Sequence, residues 1–93
     1  YSTRLEIAAD GSAVLEMPRA TDAMAYIIPT AGHYVTVDCK ISGDWIANST
    51  GVLIDGVAQL EKFTSPTFVP IQPPVVSLRF NAIGGAAVVE IAL

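Results

Sequence analysis

Along most of this chain apolar and polar residues alternate with a period of two, and Gly, Pro, Asn and Asp interrupt the alternation. That period belongs to half-buried β-strands, whose successive side chains point to opposite faces. Thr3, Leu5 and Ile7 share one face of a first strand, with Arg4 and Glu6 on the other. Asp10-Gly11 reads as a hairpin turn leading into a second strand, with Ala13, Leu15 and Met17 inward and Val14 and Glu16 outward. Pro18 ends that strand, since it removes a ladder donor. Residues 19–25 read as a loop with one helical turn at most, and residues 24–28 as a strand.

The clearest strand covers residues 34–41, with Val35, Val37, Cys39 and Ile41 on one face and Tyr34, Thr36, Asp38 and Lys40 on the other. Ser42-Gly43-Asp44 turns the chain into Trp45. Residues 52–60, with Asp55-Gly56 at their centre, read as a tight hairpin. Residues 63–71 hold two prolines and predict an irregular or edge strand, and Gln72-Pro73-Pro74 a rigid extended connection. In residues 75–80, Val76, Leu78 and Phe80 are expected inward and Ser77 and Arg79 outward. Residues 81–85 make the last turn, and Ala87, Val89, Ile91 and Leu93 line one face of a final strand. Seven to nine short strands at spacings of about 8–12 residues predict one all-β domain over residues 1–93, an antiparallel β-sandwich or jelly roll.

Composition adds a second expectation. Of the 93 residues, 52% are hydrophobic and only 15% are charged, against roughly 25% charged in an ordinary soluble domain. A chain this short buries only about 60–65% of its unfolded surface. No apolar run reaches the ~18 residues of a membrane helix, so a membrane partner is not expected and the excess is assigned to subunit contact. One cysteine excludes an internal disulfide, and Cys39 with the lone His33 does not make a structural metal site. The net charge of −4, with Arg4, Arg19, Lys40, Lys62 and Arg79 scattered, argues against nucleic acid. No signal-peptide pattern is visible in the first residues.

Candidate chemistry is sparse. In one straight strand His33 and Cys39 would stand roughly 20 Å apart, too far for a dyad. No spacing singles out a catalytic pair among the nine carboxylates, and Asp10, Asp44 and Asp55 read as turn residues. Gly84-Gly85 precedes a strand and not a helix, so it is a turn and no phosphate loop. Asn48-Ser49-Thr50 matches the acceptor pattern for N-glycosylation. Trp45, Tyr26 and Tyr34 could stack on a sugar, or serve as a core Trp and two surface Tyr. No enzyme activity, cofactor or metal is therefore expected.

The segments 63–71, 76–81 and 84–91 run from an aromatic-plus-proline strand through Leu78-Arg79-Phe80 and a Gly-rich turn to a Val-rich strand. This ending resembles small β-sandwich structural proteins of tailed-bacteriophage virions, as does Trp45 after its Ser-Gly-Asp turn. Asp-Gly-Gly-Thr-Trp is the form expected at that turn, and Ser42-Gly43-Asp44-Trp45 departs from it. The resemblance implies a virion structural protein, a capsid decoration or cement subunit held by contacts with copies of itself and with the major capsid protein. The alternative it leaves is a receptor- or glycan-binding module of a tail or fibre. Tyr1, Val14, Tyr26, Tyr34, Phe68 and Val88 are the candidate interface residues, being apolar or aromatic and not assigned inward. Residues 1–3 could also add to a neighbour's sheet.

Overall fold

Two antiparallel sheets pack face to face in a computed structural model that describes residues 2–16, 23–40, 42–47, 53–54, 57–58, 62–71 and 75–92. The strands are β1 (Ser2–Ile7), β2 (Ser12–Glu16), β3 (Ala23–Pro29), β4 (Tyr34–Lys40), β5 (Trp45–Ile46), β6 (Leu53–Ile54), β7 (Val57–Ala58), β8 (Lys62–Phe63), β9 (Thr67–Ile71), β10 (Ser77–Ile83) and β11 (Ala87–Ala92). No helix occurs among the described residues. The first sheet has the order β1-β11-β3-β9. The second has the order β2-β10-β4-β5, with β8 also on β4. Since β10 occupies one side of β4, β5 and β8 share the other, near its two ends. A separate hairpin joins β6 and β7, with Ile54 opposite Val57.

The chain changes sheet at each step from β1 to β4 and again from β8 to β11. With β5 and β8 together in the place of one strand, this is the strand order of a jelly roll, eight positions in two four-stranded layers. The architecture agrees with the alternation of the sequence.

The core follows the period of two. Ala25, Ile27, Val35, Val37, Cys39, Ile71, Leu78, Phe80, Val89 and Ile91 are buried, with Leu5, Ala13, Leu15 and Phe63 packed against them. These are the inward positions of both sheets, interdigitated as in other sandwiches.

Several local expectations are corrected. Asp10-Gly11 does not close a hairpin: β1 pairs with β11 and β2 with β10, so the turn carries the chain from one sheet to the other. The left-handed residue there is Asp10, at φ 59°, and not the glycine. Its conformation is supported from outside, because its Oδ1 accepts the Gly84 N–H at 2.9 Å. Val76 is exposed and Val75 buried, since β10 begins only at Ser77 and strict alternation does not reach back past it. Ser77 points outward as expected but is nonetheless buried beside Glu16, to which its hydroxyl donates. β10 continues to Ile83, which shortens the last turn. Pro29, expected in a loop, closes β3. The expectations at Tyr1, Met17, Pro18, Ile41, Asn48-Ser49-Thr50, Asp55-Gly56, Gln72-Pro73-Pro74 and Leu93 lie outside the described residues.

Candidate interaction surface

The two outer faces of the sandwich differ in chemistry. On the second sheet the outward residues bond to one another. Asp38 is only 6% exposed although it points away from the core. Its Oδ2 accepts from Arg79 Nε at 2.9 Å and from Asn81 Nδ2 at 3.0 Å, and Arg79 Nη2 lies at 2.8 Å. Asn81 also donates to Thr36 Oγ1 at 3.2 Å and accepts from Ser12 Oγ at 2.7 Å. Register explains the chain of contacts: Ser12, Asn81 and Thr36 lie in one row across β2, β10 and β4, and Arg79 and Asp38 in the next. Trp45 joins this network from β5, half-buried, with Arg79 Cζ 4.6 Å and Lys40 Nζ 4.9 Å from its ring centroid. Tyr34, near the other end of β4, lies under Lys62 Nζ at 4.3 Å. Val14, 50% exposed, completes the second of these rows on β2, directly opposite Arg79.

The first sheet is oily outside. Its outward residues are Arg4 and Glu6 on β1, Val88, Glu90 and Ala92 on β11, Met24, Tyr26 and Ile28 on β3, and Phe68 and Pro70 on β9. Phe68 is 67% exposed and Met24 43%. The Tyr26 and Phe68 rings stack at 4.3 Å between centroids. Strand pairing sets the central row Arg4, Glu90, Tyr26, Phe68 in that order across the sheet. Arg4 Nη1 donates to Glu90 Oε2 at 3.4 Å, so the charged half of the row is internally paired, while in the aromatic half Phe68 is exposed and Tyr26 half-buried. Two open grooves score this face. One, of about 580 Å³, passes Met24, Tyr26, Phe68 and Glu90. The other, of about 560 Å³, passes Val88, Ile28 and Glu6.

Of the residues singled out from sequence, Tyr26, Phe68 and Val88 thus meet on one face, while Val14 and Tyr34 lie on the opposite sheet. Tyr1 is outside the described residues. Trp45, Tyr26 and Tyr34 do not form one platform, because Tyr26 belongs to the other layer. Met24, Ile28 and Pro70 were missed as surface residues. The signal was present: residues 23–29 are apolar at odd and even positions alike, the mark of a strand covered on both sides.

His33 is exposed in the turn from β3 to β4, and Cys39 is buried six positions along. The His33 ring packs over the next turn, within 2.5 Å of where a Cβ on Gly84 would stand. No cluster of three or more metal-ligating side chains occurs among the described residues. Compared with known protein families, characterised proteins and solved structures, the chain matches none.

Proposed function

We propose that this chain is a structural subunit that works by adhesion through the outer face of its first sheet, as a capsid decoration or cement protein of a phage particle. The observation that carries the reading is the asymmetry of the sandwich. One outer face ties Asp38, Arg79, Asn81, Thr36 and Ser12 into a network, whereas the other leaves Met24 and Phe68 exposed to water, with Tyr26 half-buried against the Phe68 ring. An exposed Phe68 stacked on Tyr26 beside open, mainly apolar grooves is the surface chemistry of a contact, with Tyr and Phe enriched at interface centres. The virion setting is supported by the resemblance of β9, β10 and β11 to phage coat modules. Symmetric arrays suit such a surface, because many copies add avidity to a weak single contact.

The test is co-sedimentation with phage particles, in the presence and absence of the Phe68→Asp substitution. Native chain is expected to travel with particles and to raise their disruption temperature. Phe68→Asp is expected to lose both effects, with the fold retained by circular dichroism. Val14→Asp, on the opposite face, is the control and should bind normally. Chain that stays in the supernatant with particles of every origin, including those from its own source, removes the virion reading.

The aromatic pair beside Arg4 and Glu90 supports a second reading, a glycan-binding module of a tail or fibre. A sugar ring would stack on Tyr26 and Phe68, and not on Trp45. Saccharide-dependent chemical shifts confined to Tyr26 and Phe68 would favour that reading over the first.

A further inference from the structure

Resting on the reading of the first sheet as a contact face, we infer that its occupant is a second copy of this chain, packed face to face about a two-fold axis parallel to the strands. The central row runs cation, anion, tyrosine, phenylalanine. A two-fold axis along the strands, between β11 and β3, reverses that row on the partner. Arg4 then comes against the partner copy's Phe68, whose one face is covered by Tyr26 and whose other face, open at the β9 edge, can take the guanidinium in a cation–π contact. Glu90 meets the hydroxyl of the partner copy's Tyr26, a charge-assisted hydrogen bond. On the two central strands the flanking rows stay apolar on apolar, with Ala92 opposing Met24 on one side and Val88 opposing Ile28 on the other, while Glu6 stands at the exposed corner of β1. The other in-plane axis, across the strands, sets Arg4 on Arg4 and Glu90 on Glu90. Like charges brought together in this way oppose association. The row is therefore self-complementary in one orientation and self-repelling in the other, as an isologous interface requires.

The face is small. Strands of five to seven residues, four abreast, span about 20 Å by 20 Å. Two such faces bury on the order of 800–1,000 Å², short of the roughly 1,600 Å² of a stable complex. The dimer is accordingly weak in dilute solution, and a particle that binds through Phe68 competes with the second copy for the same face.

Two measurements test the orientation and the surface. Sedimentation equilibrium of the native chain over a hundred-fold concentration range is expected to show reversible monomer–dimer behaviour. Phe68→Asp and Arg4→Glu should each weaken it by about tenfold or more, and Val14→Asp should leave it unchanged. Arg4→Cys and Phe68→Cys chains, mixed at concentrations where the native chain dimerises, should cross-link 4 to 68 with a short bis-maleimide. Links of 4 to 4 and 68 to 68 should be scarce. Cys39 is buried and shielded from the reagent. Dominant 4-to-4 and 68-to-68 links, or a chain that stays monomeric at every concentration, would overturn the inference. A monomer that still binds particles through Phe68 sinks the self-association alone and leaves the contact-face reading standing. A dimer that binds no particle leaves the self-association standing and sinks the virion reading.

Discussion

At the scale of single residues, the sharpest departure from pattern is Asp38. Alternation places it outward, where carboxylates are usually wet, yet it is nearly buried under the side chains that bond to it. Nothing in the sequence near Asp38 announces this, because Arg79 and Asn81 come from a strand some forty positions away. Truncation strands the Arg79 guanidinium and the Asn81 amide together. Asp38→Ala is expected to cost about 3 kcal/mol of unfolding free energy in urea titrations, and Asp38→Asn less, since an amide still accepts one bond. Gly84 is the second such residue. It sits at φ +81°, and a Cβ there would collide with the His33 ring. Gly84→Ala should destabilise by roughly 1–3 kcal/mol. Adding His33→Ala should recover only the part due to the collision, leaving the backbone part, which a double-mutant cycle separates.

At the scale of elements, strand positions and inward residues were legible because a period of two needs only local sequence. The partners of those strands were not. Asp10-Gly11 has the chemistry of a hairpin turn and makes a sheet-to-sheet corner instead, since residues of that kind specify a reversal and not the layer that receives it. The candidate surface was legible in part for the same reason. Tyr26, Phe68 and Val88 could be read as outward, but their meeting depends on β11, β3 and β9 being neighbours. β9 is an edge strand, as the two prolines of residues 63–71 suggested, and Pro70 interrupts an otherwise β-prone run, Thr67-Phe68-Val69-Pro70-Ile71. Pro70→Val restores a donor and a continuous sticky edge. It should speed fibril or aggregate formation on warming, followed by light scattering and thioflavin fluorescence, with little change in the folded spectrum. In β10, Phe80 is the largest fully buried side chain, and Phe80→Ala should cost about 3–5 kcal/mol, enough to leave so small a domain largely unfolded in calorimetry.

At the scale of the whole molecule, the apolar excess of the composition divides in two. Among the described residues most of it fills the space between the sheets, and a smaller part stays outside, Met24 and Phe68 on the first sheet and Val14 and Ile46 on strands of the second. The outer faces differ in what surrounds those residues: a polar network on the second sheet, and an exposed aromatic ring on the first. Raising salt should weaken contacts made through Arg4 and Glu90 only modestly, because the same row is half aromatic, and the dimer constant measured between 0.05 and 0.5 M salt should shift by less than about threefold. A much steeper loss would mark a contact made by charge alone.

The place of β11 between β1 and β3 bears on how the protein is made. During synthesis β1 leaves the ribosome first of the described strands, yet the edge it must join is the last of them to appear. Until then one layer consists of β3 and β9 alone, and the interior stands open to solvent. A chain ending at Gly85 should be digested rapidly by protease, and extension by seven more residues, through Ala92, should confer resistance on the whole in a single step.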